Sequence, residues 1–333
     1  ADKFGVPRII YINKIDRLGA DFLRTFDMIK KKFSKKFILM QWPNGEGEDF
    51  QGQIDILNNK VICWEEDNIQ KISFNPIQKE LQKKIFELRN EIIEVASDYN
   101  ETILEKYLEG KNIQNELIEE AIKDGVVANE VVPVYVGSSL KSFGIQPLLD
   151  GVIKFLPSPQ EIPAVVGNNP EESKLSETIR LPSCEQPFSA LVFKVALYES
   201  RRLSFVRVYS GSARVGDIVW NPTRRIKEKF SRIFRMYSDK RERVEEIGPG
   251  DIVAVLGLKE TLTGDTLCDF TDPITFESIT PPEPVISIAV EPRETIDLEK
   301  LHESLEKLMV EDPTFIVESQ NESGQIIMSG MGE

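Results

Sequence analysis

The chain has 333 residues, room for two or three domains each with its own core, and its 41% hydrophobic and 29% charged content is that of a globular protein. Three scattered cysteines (Cys63, Cys184, Cys268) form no C-x-x-C pair, so neither a disulfide framework nor a zinc site is indicated and a reducing compartment fits; the single histidine, His302, excludes His-based triads and reads as a helix-surface residue. No apolar run approaches the roughly 18 residues a membrane span needs, and a net charge of −14 argues against general nucleic-acid binding.

The chain opens with Ala1-Asp2-Lys3-Phe4-Gly5, the tail of a helix with Gly5 as its stop, followed by Pro7. Arg8-Ile9-Ile10-Tyr11-Ile12 is a β-branched apolar run of strand type, and Asn13-Lys14-Ile15-Asp16 follows at its carboxyl end. Ligands of open α/β sheets bind at such strand ends. The tetrad resembles the guanine-reading loop of GTP-binding proteins. Asp16 can accept from both N1–H and the 2-amino group of guanine, Lys14 can lay its stem along the base, and Asn13 can tie neighbouring loops together. Taken alone, four residues read equally well as a polar turn.

Phe22, Phe26, Ile29 and Phe33 recur at helical spacing, predicting a helix over about 20–34. The apolar runs 38–40, 54–57 and 61–64 alternate with glycines and Asn58-Asn59 and predict a small antiparallel sheet. Ile85, Leu88, Ile92 and Val95 mark a second helix. Two short acidic helices follow, one stopping at Gly110 and the other at Gly125. Only then does a second buried-type strand, 131–136, run into Gly137-Ser138-Ser139-Leu140-Lys141. In GTPases the matching loop offers a backbone N–H to guanine O6. Ser139 stands where alanine is usual, which leaves that donor in place. The 37–130 stretch between the two half-pockets is too long for a loop and reads as an inserted α+β subdomain. Its helices carry Glu101, Glu105, Glu109, Glu116, Glu119 and Glu120, a solvated face or a surface for a protein partner.

A helix through Leu148, Val152 and Phe155 breaks at Pro157-Ser158-Pro159, and 161–186 reads as a linker. From Pro187 to 281, short strands with Gly-Asp turns at 216–217, 250–251 and 264–265 predict a small β-barrel. The stretch 194–243 carries 14 Lys and Arg against 5 Asp and Glu, one basic footprint in an acidic chain. Within it, Arg224-Arg225-Ile226-Lys227 offers phosphate contacts or a solvated barrel face. After Pro281-Pro282-Glu283-Pro284, residues 285–333 give a strand, a helix with Leu298, Leu301, Leu305 and Leu308 on one face, and two strands around Glu322-Ser323-Gly324. That β-α-β-β order is most of a ferredoxin-like domain. No G-x-x-x-x-G-K-[ST] run occurs and no D-x-x-G precedes the tetrad, so the phosphate cradle is missing, and both ends read as cut from a longer protein.

The whole chain resembles the elongation factor G family. The match runs through Val6-Pro7-Arg8-Ile9, Asn13-Lys14-Ile15-Asp16-Arg17-Leu18-Gly19-Ala20, Phe50-Gln51-Gly52-Gln53-Ile54-Asp55, 137–144 and Leu156-Pro157-Ser158-Pro159. It continues through Arg207-Val208-Tyr209-Ser210-Gly211, Thr263-Gly264-Asp265-Thr266-Leu267, Pro284-Val285-Ile286-Ser287, Glu311-Asp312-Pro313-Thr314 and 329–333. The resemblance implies an α/β and β multidomain chain: the C-terminal part of a P-loop GTPase domain (1–36 and 131–160) with its insert, a translation-factor barrel and a truncated ferredoxin-like third domain. It implies a monomeric GTPase driving tRNA and mRNA movement on the ribosome. Guanine would be read by Asn13, Lys14, Asp16, Ser138, Ser139 and Leu140. Arg224, Arg225 and Lys227 would meet small-subunit ribosomal RNA, and the insert would face the large-subunit stalk protein. GTP or GDP is the implied cofactor; catalytic residues and Mg²⁺ ligands would lie in the longer parent. A bacterial cytoplasm, a mitochondrial matrix and a plastid all fit. A ribosome-recycling paralogue, a tetracycline-resistance-type ribosome-protection GTPase and, for these residues alone, a non-catalytic ribosome-binding module remain as alternatives.

Overall fold

The computed structural model describes residues 1–333 except 66–67, 172–175, 199–200, 239, 293–297, 320–324 and 333. The Glu322-Ser323-Gly324 turn and Glu333 therefore lie outside the described residues. The chain divides into two units, Ala1–Pro157 and Ser158–Glu333.

In the first unit a parallel sheet has the strand order Ile10–Ile12, Val131–Val136, Lys36–Leu39. The central strand is buried along its whole length, as parallel strands covered on both faces are. The run 38–40 was expected in the antiparallel sheet. Instead Ile38 and Leu39 pair with Pro133 and Val134, and Met40 donates its N–H to the Val134 carbonyl. Their apolar side chains complete the core of the parallel sheet, so the insert begins past 40. Helix Phe22–Lys32 is capped by the Asp21 side chain, which accepts from the Arg24 N–H, and it buries Phe22 and Phe26.

The insert's sheet orders Gln41–Asn44, Gly52–Asp55, Lys60–Glu65 and Asn68–Asn75 antiparallel. Pro43 sits on the edge strand, where a missing N–H is tolerated. Helices Lys79–Ser97, Glu101–Leu108 and Asn115–Val127 follow. Gly125 does not end the last of these; it lies inside it. A Cβ there would stand 2.7 Å from Val131 and 2.8 Å from the Tyr99 ring, so glycine is used for close packing rather than as a stop.

In the second unit eight antiparallel strands form one sheet, from Ile226–Lys229 at one edge to Lys240–Val244 at the other. Side chains from nearly all of them converge on one core, including Val192, Val206, Val219, Ile233, Val255 and Leu267. A flat sheet cannot bring them together, so the sheet is rolled. The strand pairing is not closed into a ring among the described residues. The three Gly-Asp turns share one construction. Gly216, Gly250 and Gly264 have φ near +100° (103, 93 and 92), as the third position of a type II turn requires. The following Asp217, Asp251 and Asp265 close each turn by accepting from the N–H three residues back, of Arg214, Gly248 and Leu262.

The 161–186 stretch is not a free linker. Val165–Asn168 pairs with Glu177–Arg180, and Asn168 bridges to Thr275. The reason lies in Arg180, nearly fully buried, which binds the carbonyl and carboxylate of Asp272. Last, Ile286–Val290, Ile326–Gly330 and Ile316–Ser319 form an antiparallel sheet in that order, beside helix Leu298–Glu311. Leu305 is buried, but Leu298 and Leu308 are exposed rather than part of a covered face. The helix also packs back on the rolled sheet through Val310.

Candidate nucleotide-base and RNA-contact sites

The strands Ile10–Ile12 and Val131–Val136 are hydrogen-bonded neighbours, so their carboxyl ends deliver both candidate loops to one place. The loops are laced together. Gly137 donates its N–H to the Ile12 carbonyl at 3.0 Å, and Ile15 donates back to the Gly137 carbonyl at 3.3 Å. Asn13 is the main tie. Its Nδ2 donates to Ser139 Oγ at 2.8 Å, while its Oδ1 accepts from the N–H groups of Lys14 at 2.8 Å and Ser139 at 2.9 Å. Lys14 adopts φ +66°, a left-handed conformation uncommon outside glycine.

The Ser139 N–H, expected from the sequence as the donor to a base, is thus already engaged by Asn13. The Leu140 N–H has no protein acceptor among the described residues. Ser138 is fully buried and its Oγ accepts from the Lys141 N–H, which shapes the turn from inside. The loop's neck is closed by two reciprocal bonds between Ser138 and Phe143. Asp16 is half-buried, and no protein donor binds its carboxylate among the described residues. Beside it, burial and then the Asp16 charge push the Tyr11 hydroxyl up to about 12. Tyr11 therefore stays a neutral donor, and it holds the Phe143 carbonyl at 3.1 Å. A carboxylate and a backbone N–H, neither with a protein partner among the described residues, stand on two loops fixed to each other.

Sequence reasoning missed the supports beneath them. Gln41 and Gln53 are buried in the insert's sheet and bond the N–H and carbonyl of Val136. Gly47 donates to the Ile15 carbonyl at 2.7 Å. The available signal was a glutamine next to each apolar run, Gln41 after 38–40 and Gln53 before 54–57.

The three cations on the rolled sheet part company. Arg224 Nε binds the buried Asp265 carboxylate at 2.7 Å, so its charge is matched inside the protein. Arg225 is exposed at φ +56° in the turn. Lys227 is exposed with its ammonium 4.0 Å from the Phe270 ring centroid. Arg202, also basic, is turned inward onto the carbonyls of Lys259 and Thr261.

Two adjoining loops at the carboxyl ends of a parallel sheet, followed by a rolled β-domain, are the architecture of GTP-binding translation factors. Family models match in succession: Elongation factor Tu GTP binding domain over residues 1–158, Elongation factor G domain 2 over 187–270, and Elongation Factor G, domain III over 281–333. The whole chain aligns with Elongation factor G 2 of Syntrophus aciditrophicus (44% identical, 49% of that protein) and Elongation factor G 1 of Geobacter sulfurreducens (45%, 48% of that protein). A crystal structure of a Thermus thermophilus protein matches all of this chain and 47% of its own, at TM-score 0.81 and 25% identity. The chain belongs to the elongation factor G family. It spans about half the length of the curated relatives it matches.

Proposed function

We propose that these residues form the guanine-recognition part of an elongation factor G-type GTPase, which couples GTP hydrolysis to movement of tRNA and mRNA on the ribosome in a bacterial cytoplasm. One observation carries the reading: an open Asp16 carboxylate and an open Leu140 N–H on loops tied by Asn13. Guanine presents N1–H and a 2-amino group to the first and O6 to the second. Adenine presents an acceptor at N1 and a donor at position 6, so both contacts would be mismatched. The stem of Lys14 would lie along the base plane. Phosphate and Mg²⁺ binding fall outside what these residues provide. The sequence holds no phosphate-loop motif. Phosphoryl transfer depends on both. The chain itself is accordingly a recognition module without hydrolytic activity.

Titrating labelled 1–333 with GMP and AMP tests this. Amide shifts are expected at 13–16 and 139–140 with GMP only, with affinity weaker than about 10 μM, or about −7 kcal/mol. Equal responses to AMP, or shifts confined to other residues, would remove the base-reading role.

On the ribosome, the exposed faces of Glu101, Glu105, Glu109, Glu116 and Glu120 would meet a basic surface of the stalk protein. Arg225 and Lys227 would meet small-subunit RNA phosphates, contacts that position without reading sequence. Neutralising these two should weaken ribosome binding and flatten its salt dependence by up to about two phosphate equivalents. Superimposable salt plots for variant and wild type would leave the pair as an idle solvated face.

A further inference from the structure

Gln53 belongs to the insert, not to either base-reading loop, and yet its side chain ends between the two legs of one of them. It is fully buried on the strand Gly52–Asp55. Its Nε2 donates to the Val136 carbonyl at 2.9 Å, one residue before the loop begins. A Cβ on Gly137 would stand 2.8 Å from that nitrogen, and a Cβ on Gly144 only 2.1 Å away. The two glycines at the neck of the 138–143 loop thus make room for this amide. Around it the insert grips the same loop through aromatic contacts. The Trp64 ring stacks on Phe143 at 5.8 Å, and Phe50 meets it at 6.4 Å.

A buried amide is costly unless it is bonded, and here only half is. The Oε1 of Gln53 has no partner among the described residues. An apolar side chain would spare the orphaned Oε1 but leave the buried Val136 carbonyl without its donor. The glutamine is thus held here as a fixed, directional contact to the loop's base.

We propose that Gln53 is a positioning residue for base recognition. It sets the height of the 138–143 loop so that the Leu140 N–H meets O6 of guanine. The inference rests on the guanine-reading proposal above. It adds that specificity at position 6 is supported from the inserted subdomain.

The test compares GDP with 6-thio-GDP in the complete gene product. The analogue keeps N1–H and the 2-amino group, and hence the Asp16 contact, but replaces O6 with a weak sulfur acceptor. Wild type should prefer GDP by about tenfold, the worth of one ordinary hydrogen bond. Gln53→Met removes the Nε2 donor at similar volume. It should close that gap by lowering GDP affinity while leaving 6-thio-GDP affinity unchanged. Gln53→Asn, too short to reach Val136, should do the same and serves if the Met variant does not fold. Ile54→Val loosens the neighbouring buried position on the same strand and is the control; it should keep the tenfold preference. Two results would overturn the inference: a gap that survives in the Gln53 variants, or one that closes equally in Ile54→Val. A wild type with no preference at all would instead defeat the guanine reading on which it rests.

Discussion

Asp16→Asn is expected to lower GDP affinity of the complete gene product by a factor of about 10²–10⁴, and to restore part of it for XDP. The size follows from two charge-assisted hydrogen bonds, each contributing about 1.5–3 kcal/mol, at 1.4 kcal/mol per tenfold. The carboxylate is placed to make both, since no protein donor competes for it among the described residues. An amide keeps one acceptor and gains one donor. Facing guanine, that donor opposes the 2-amino group and leaves two hydrogens pointed at each other. Xanthine carries an oxo group at that position, which accepts from the new donor, while its N1–H still meets the remaining oxygen. Asn13 and the loop lacing are untouched by the change, so the fold should be preserved. Dissociation constants for GDP and XDP, measured side by side, decide it. Wild-type GDP affinity in the variant would reduce Asp16 to a turn residue.

The parts of this molecule that were legible in the sequence are those whose physics is local. A β-branched run ending in Asn13-Lys14-Ile15-Asp16 declares a strand and a loop at its carboxyl end. The Gly-Asp pairs declare turns, and in the fold the glycine supplies the positive φ while the adjacent carboxylate reaches back three residues. What stayed hidden depends on partners distant in sequence. A short apolar run such as 37–40 fits either sheet equally well, and only the pairing of Lys36–Leu39 with Val131–Val136 decides. Gly125 carries the signature of a helix stop, yet the space it leaves is filled by Tyr99 and Val131. Residues 161–186 have a linker's composition, but Arg180 finds Asp272, 92 positions away. At the candidate base site the residue types were readable. The division of labour was not, since the Ser139 N–H is claimed by Asn13, 126 positions earlier.

Arg224 is the clearest such case, and it carries the second large prediction. As part of Arg224-Arg225-Ile226-Lys227 it reads as one of three equivalent surface cations. In the fold it faces Asp265, a residue 5% exposed. The same Oδ2 accepts from Arg224 Nε at 2.7 Å, Leu262 N–H at 2.8 Å and Asn221 Nδ2 at 3.0 Å. Next to it Glu228, also buried, accepts from the N–H groups of Lys259 and Glu260 and from the Thr261 hydroxyl. Two carboxylates therefore hold the 259–265 loop, with Arg202 bonding its carbonyls from the other side. Asp265→Ala strips the acceptor from three donors at once. It should destabilise the second unit by about 2–4 kcal/mol, because the buried Asn221 amide and the Leu262 N–H both lose their acceptor. Arg224→Ala should cost less, about 1–2 kcal/mol, because the guanidinium is partly solvated and two neutral donors remain on Asp265. Arg225→Ala should stay within about 0.5 kcal/mol, as exposed positions do. Urea unfolding followed through Trp220, together with hydrogen exchange of the 259–262 amides, measures all three. If Asp265→Ala unfolds with the wild-type midpoint and exchange rates, the network is ornamental and Arg224 returns to the pool of surface charges. If the predicted order holds, a loss of ribosome binding in any variant lacking Arg224 reports loop collapse as much as a lost phosphate contact. Arg225 and Lys227 are then the substitutions that test the proposed RNA contact, because they remove charge without touching Asp265.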